Sequence, residues 1–131
     1  MIVLANGCFD PLHIGHVYHL QAASEWGMLY VSVTDDEHVN KGPGRPVFPI
    51  RERLHMVRAL ECVHGVIAVS STIEALKEIK PDILVKGAEY KHRIGKEIGR
   101  YCIDHGIAIR FTDTKKYSST ELLRHYERLS T

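Results

Sequence analysis

The sequence predicts an α/β domain in which a five-stranded parallel sheet is flanked by helices. Short apolar runs recur along the chain, amphipathic stretches of helical length separate them, and Gly or Pro marks the changeovers. The first run, Ile2-Val3-Leu4-Ala5, ends at Asn6-Gly7, and a helix is predicted from Ile14 to Trp26 with Gly27 as its stop. Met28 to Val33 reads as the second strand, β-branched toward its end, with Thr34-Asp35-Asp36 as its exit. Residues 37–49, centred on Lys41-Gly42-Pro43-Gly44-Arg45-Pro46, are predicted as a loop.

A helix over Ile50 to Glu61 leads to a third strand, Val66-Ile67-Ala68-Val69, and a short helix follows from Thr72 to Ile79. Pro81 precedes the fourth strand, Asp82-Ile83-Leu84-Val85, which delivers Lys86-Gly87-Ala88-Glu89-Tyr90 at its carboxyl end. Ile94 to His105 forms a further helix, Gly106 separates it from the strand Ile107 to Phe111, and a last helix starts around Ser118-Ser119-Thr120-Glu121. Right-handed crossovers would cover both faces of such a sheet and leave one rim for the loops that carry chemistry. Residues 1–131 read as one domain, without linker, repeat or low-complexity tract.

The apolar fraction of 44% with 25% charged residues excludes a disordered or collagen-like chain. With 17 Lys+Arg against 16 Asp+Glu, net charge gives no reason to expect a nucleic-acid or membrane partner. No apolar run approaches the roughly 18 residues of a membrane span, and no basic leader precedes the first strand, so a cytoplasmic location is expected. Cys8, Cys62 and Cys102 are odd in number and widely spaced, which fits a reducing compartment. Nine histidines raise the question of zinc, but no ligand set recurs at structural-zinc spacing, and no protein metal site is expected.

The most informative stretch is Gly7-Cys8-Phe9-Asp10-Pro11-Leu12-His13-Ile14-Gly15-His16, at the first strand-to-helix transition. One helical turn brings the His13 and His16 rings to one side, Gly15 removes a side chain that would block a close ligand, and the helix start offers backbone N–H groups to an anion. Asp10 suits turn support, the fixing of a donor or metal binding, of which turn support is favoured. His19 is read as an ordinary packing or surface histidine, rotated away from the first pair.

His13-x-Gly15-His16, with Gly7-Cys8-Phe9-Asp10 upstream, resembles the His-x-Gly-His signature of the nucleotidyltransferase superfamily, the cytidylyltransferase-like proteins. Lys41 in Asn40-Lys41-Gly42-Pro43-Gly44-Arg45-Pro46-Val47 and the stretch Lys86-Gly87-Ala88-Glu89-Tyr90 are most similar to the heptose-1-phosphate adenylyltransferase group. The resemblance implies a Rossmann-like nucleotidyltransferase fold. It also implies that His13, His16 and Lys41 stabilise the transferring phosphate, while Gly7, Cys8, Phe9, Asp10, Gly15, Arg53, Lys86, Gly87 and Glu89 build the nucleotide and substrate site. Arg53 either contacts a substrate phosphate or braces the loop, and Arg45 is a weaker phosphate candidate. Ser118, Ser119 and Thr120 resemble the family's hydroxyl-rich turn, which implies β/γ-phosphate contact; Lys115 and Lys116 are read as solvated.

The implied reaction transfers a nucleoside monophosphate from a nucleoside triphosphate to a phosphorylated small molecule, with release of pyrophosphate. The implied pair is ATP and a heptose 1-phosphate, with Mg²⁺ accompanying the nucleotide. The alternatives are a cytidylyltransferase using CTP and glycerol 3-phosphate, and a regulatory module that binds nucleotide without turnover. The absence of the glycerol enzymes' Arg-Thr-Glu-Gly lead-in, replaced by Asp113-Thr114-Lys115-Lys116, counts against the first alternative. The first strand exit lacks the Gly-x-Gly-x-x-Gly pattern of dinucleotide-binding dehydrogenases, and the Lys41 loop is not a complete P-loop. A homodimer is a family expectation.

Overall fold

The computed structural model describes residues 1–113, which form one parallel sheet in the order β3-β2-β1-β4-β5. Its strands are β1 (Ile2–Gly7), β2 (Met28–Thr34), β3 (Gly65–Val69), β4 (Ile83–Gly87) and β5 (Ala108–Thr112). Between them run α1 (Ile14–Ser24), α2 (Ile50–Arg58), α3 (Thr72–Ile79) and α4 (Lys96–Asp104). The helix predicted from residue 118 and the Ser118-Ser119-Thr120 turn lie outside the described residues.

Strand alternation builds the two cores. Val3 and Ala5 of β1, with Val31 and Val33 of β2, face α1 and α2, where Leu20, Ala23 and Val57 close the layer. Leu4 of β1 and Leu84 of β4 point to the other face, against Ala75 and Leu76 of α3 and Cys102 of α4. β1 is central and pairs with both β2 and β4, so Val3, Leu4 and Ala5 are fully enclosed. A strand covered on both faces must be apolar throughout, which is why these residues do not alternate with polar ones.

The element boundaries differ from the sequence expectation in ways that have local causes. β1 continues through Asn6 and Gly7, because both remain in register with Ser32 and Val33 of β2. α1 ends at Ser24, two residues early, where successive amides of Glu25, Trp26 and Gly27 turn to i−3 carbonyls. α2 stops at Arg58 rather than 61, and α4 begins at Lys96 rather than 94. Single 3-10 turns at Asp36–His38 and Ala88–Tyr90 were not expected; the first is capped by Asp35, whose carboxylate accepts from the His38 amide.

Arg53 ties these pieces together. Its side chain is 0% exposed, and its guanidinium donates to the carbonyls of Cys8, Thr34 and Phe48 and to Asp36 Oδ1, at 2.7–2.8 Å. One planar fork therefore joins the exits of β1 and β2 to the segment that enters α2. Of the two roles considered for Arg53, the structure shows the brace, with four of its five N–H groups donated to Phe48, Cys8, Thr34 and Asp36. Replacing Arg53 with Met is expected to strand three part-buried carbonyls and to lower stability by about 3 kcal/mol or more. Urea denaturation measures this, and a loss below about 1 kcal/mol would mean that the carbonyls find other donors.

Candidate active site

In a parallel sheet of this order, the connection after β1 runs outward to β2 and the connection after β4 runs outward to β5 on the other side, opening a crevice at the carboxyl ends of β1 and β4. A cavity of about 250 Å³ occupies that crevice. Its wall takes Asn6, Gly7, Cys8, Phe9 and Asp10 from the β1 exit, and His16 and His19 from α1. Thr34, Lys41, Lys86, Gly87 and Tyr90 complete it. A larger hollow of about 450 Å³ runs along α2 beside Phe48, Leu54 and Met56, but it gathers none of the motif residues.

The two motif histidines form the start of α1. His13 is the N-cap: its Nδ1 accepts the Gly15 amide at 3.1 Å, and His16 Nδ1 accepts the His13 amide at 3.1 Å. This reciprocal arrangement is the capping box, with imidazoles in place of the usual hydroxyl and carboxylate. A nitrogen that accepts an N–H bears no proton, so the neutral form of each ring carries its hydrogen on Nε2. The rings stack with centroids 3.8 Å apart, and His16 also meets the edge of Phe9 at 5.0 Å. Phe9 adopts a left-handed backbone (φ 51°), an uncommon conformation for a bulky residue. Gly7 is required beneath it, since a Cβ there would lie 2.9 Å from the Phe9 ring. Gly15 is buried and serves the cap through its amide, so that donor is directed to His13.

Asp10 is a turn support, as expected. Its buried carboxylate accepts from Arg45 Nε at 2.7 Å and from the amides of Val47 and Phe48 at 2.8 Å. Arg45 also donates to the Asp10 carbonyl, so it is a structural partner and not a cation held over a ligand. Burial alone would push the Asp10 pKa up. The hydrogen bonds from Arg45, Phe48 and Val47, together with the charge of Arg45, outweigh that and hold it below the ordinary 3.8. Lys41, four residues before this anchor, is exposed and lines the cavity mouth.

At the β4 exit, burial pushes the Lys86 ammonium below the usual lysine range, partly offset by the charge of Glu89. Lys86 Nζ lies 5.3 Å from the Tyr90 ring centroid, with the Arg93 guanidinium at 5.5 Å. The Glu89 carboxylate folds back over Gly87, where a Cβ would stand 2.5–2.6 Å from its oxygens. Glu89 thus borders the cavity wall through Gly87.

The structure brings Gly7, Cys8, Phe9, Asp10, His16, Lys41, Lys86 and Gly87 to one cavity, with His13 stacked on His16. His19 packs, as expected, with its Nδ1 2.6 Å from Thr112 Oγ1, but it is not rotated away from the pair, since it lines the same cavity as His16. The signal was present in the spacing, since His19 follows His16 by three residues and so shares its face of α1, whereas His13 precedes the helix. Asn6 was also missed. It donates to Ser32 Oγ at 2.7 Å and accepts from Thr72 Oγ1, cross-linking β1, β2 and the start of α3. Among the described residues no cluster of three or more His, Cys, Asp or Glu side chains forms a metal site, and no helix is long and apolar enough to cross a membrane.

The crevice at the switch point, lined by His16 of the capped histidine pair and by Lys41 and Lys86, is the candidate site of an α/β protein. The chain belongs to the cytidylyltransferase-like family, whose sequence profile matches residues 4–125. It is 42% identical to the bifunctional protein HldE of Helicobacter hepaticus over 106 residues, which cover 76% of this chain and 22% of that protein. It is 45% identical to HldE of Pseudomonas fluorescens over 125 residues, covering 91% and 26%. The chain thus spans about a quarter of the length of these relatives. Among solved structures, the lipopolysaccharide core biosynthesis protein of Thermoplasma volcanium superposes with a TM-score of 0.72 at 28% identity, covering 90% of this chain and 98% of that one. An Archaeoglobus fulgidus protein of unknown function shares the fold at TM-score 0.67 and 21% identity.

Asp10, with its lowered pKa, contributes stability above the ordinary carboxylate value of 3.8 and loses it as pH falls through the lowered one. Asp10→Asn is therefore expected to cost about 1 to 3 kcal/mol at pH 7, with the gap to the parent narrowing below pH 3.8. Denaturation at a series of pH values reads this; a constant gap would remove the ionic role.

Proposed function

We propose that this chain, as a single domain over residues 1–131, is a nucleotidyltransferase that moves a nucleoside monophosphate from a nucleoside triphosphate to a phosphorylated sugar and releases pyrophosphate. ATP and a heptose 1-phosphate are the proposed pair, a choice supported by the identity to the HldE proteins. The observation that supports the reaction class is the stacked His13–His16 pair at the switch point, where each ring is held in place through its Nδ1.

In this reading an oxygen of the sugar phosphate attacks the α-phosphorus in line, and the bond to the pyrophosphate oxygen breaks. Negative charge builds on the transferring group and on the leaving pyrophosphate. The His16 and His13 Nε2–H groups and the Lys41 ammonium meet that charge with dipoles and a cation already in place. Lys86, kept beside Tyr90 in the lining of the same cavity, adds a second cation that holds one substrate in register. Ser118, Ser119 and Thr120 are proposed to contact the β- and γ-phosphates.

The Asp10 carboxylate, which follows Phe9 at the β1 exit, is engaged by Arg45 and two amides and so is not offered to a metal. That donor set fits a Mg²⁺ held by triphosphate oxygens and water, which would neutralise part of the phosphate charge. A cytoplasmic location and a homodimer belong to the same proposal.

His16→Asn, which keeps an acceptor for the His13 amide, is expected to lower kcat by about 100-fold or more while leaving the thermal midpoint near the parent value. The reaction itself is tested by incubating ATP, CTP, GTP and UTP with sugar 1-phosphates and glycerol 3-phosphate, with pyrophosphate release and product mass as readouts. Tight ATP binding with no product from any acceptor would replace the enzyme reading with a nucleotide sensor.

A further inference from the structure

Lys86 stands half-buried at the carboxyl end of β4, in the lining of the cavity. Burial there works against its charge. Its long stem also has many rotamers, so an ammonium at this place needs a neighbour that both favours the charge and fixes its direction. Among the described residues no carboxylate stands within ion-pair distance of Lys86, and Glu89 acts on it through charge. The Tyr90 ring meets both needs. Lys86 Nζ lies over that ring, 5.3 Å from its centroid, where the negative face of the π system attracts a cation.

The backbone places the ring for this task. Tyr90 ends the 3-10 turn Ala88–Tyr90 that directly follows β4, so a single turn brings the ring back to the ammonium. The Lys91 amide donates to the Ala88 carbonyl at 3.1 Å and the Arg93 amide to the Tyr90 carbonyl at 2.9 Å, which fixes the turn. The exposed Arg93 guanidinium lies over the same ring at 5.5 Å, and the half-buried ring itself lines the cavity together with Lys86. We propose that Tyr90 is a positioning residue whose ring face holds the Lys86 ammonium in the cavity to meet a phosphate of the substrate. The inference rests on the transferase reading above, in which Lys86 meets a substrate, and adds to it the group that aims the cation. Tyr90 then acts through Lys86, and its hydroxyl has no part in the hold.

Three variants of the full chain separate the hold from packing. Tyr90→Phe keeps the ring face, Tyr90→Leu removes it, and Tyr90→pentafluorophenylalanine keeps the ring's shape while reversing the charge of its face. Turnover of ATP with the sugar phosphate is measured for each, alone and combined with Lys86→Met. Tyr90→Leu and the fluorinated variant are expected to lower kcat/KM by about tenfold, and Tyr90→Phe to stay within about twofold of the parent. In the Lys86→Met background the same changes should cost nothing further, since effects that act through one contact are not additive. A second readout needs no turnover. Reductive methylation with ¹³C-formaldehyde keeps lysines cationic, and the NMR signal absent from Lys86→Met reports the titration of Lys86. That signal should titrate at lower pH without the ring face, which favours the ammonium, and as in the parent with Tyr90→Phe. Glu89 and Cys102, whose charges act on Lys86, and Asp10, His16, His19, Lys41 and Arg93 are the same in all these proteins. Additive losses in the combined variants, a Phe variant as weak as the Leu one, or an unmoved Lys86 titration overturn the assignment. A parent that makes no product with any acceptor overturns the transferase reading, and the catalytic role of Tyr90 with it, whatever the Lys86 titration shows.

Discussion

The guanidinium of Arg53 is the constraint on which the site's frame depends. Two parallel strand exits carry carbonyls that the sheet no longer satisfies, and a loop of irregular backbone adds another. Enclosed carbonyls without donors would splay those segments apart. A single side chain with a planar fan of N–H groups meets them all, and Asp36 balances its charge. Arg53 is itself set in the first turn of α2, so the docking of that helix and the position of the β1 exit are one event. The position of the His13–His16 pair follows from that exit.

Charge in this molecule is organised locally. Net charge is close to neutral, and the cations nearest the cavity are sorted by their partners. Arg45 is neutralised by Asp10 and Arg53 by Asp36, and among the described residues Lys41 and Lys86 are the lysines that line the crevice. Two lysines facing a small, partly enclosed volume produce a stronger field at an anion than the sum over the whole surface suggests.

The alternation of apolar runs with helical stretches made the sheet, its direction and its five strands legible, because a strand covered on both faces must be apolar. The His-x-Gly-His stretch was equally legible, since its position at a strand exit coincides with its chemistry. Less visible were the roles that depend on which distant backbone a side chain meets. Arg45 and Arg53 have the same residue type as a phosphate ligand; only the fold shows that carbonyls and Asp10 receive their N–H groups. His19 was read as rotated away from the histidine pair, whereas it follows His16 by three residues within α1 and lines the same cavity. The 3-10 turns at the β2 and β4 exits follow from Asp35 capping and from the packing of Glu89 over Gly87, neither of which has a periodic pattern.

The anchoring of Arg45 bears on how far the Lys41 segment travels. Val39 is buried on one side and Arg45 is clamped on the other, so only residues 40–44 lie between fixed posts. Gly42 and Gly44 have positive φ with open space around them, and the Arg45 amide closes a turn onto the Gly42 carbonyl. Such a short tether has a small stroke: it tilts a lysine across the mouth without sweeping a flap over it. On the proposed transferase reading, selection among acceptors would fall to the rigid wall of the crevice, which would turn away a bulkier acceptor by its shape before the tether moves.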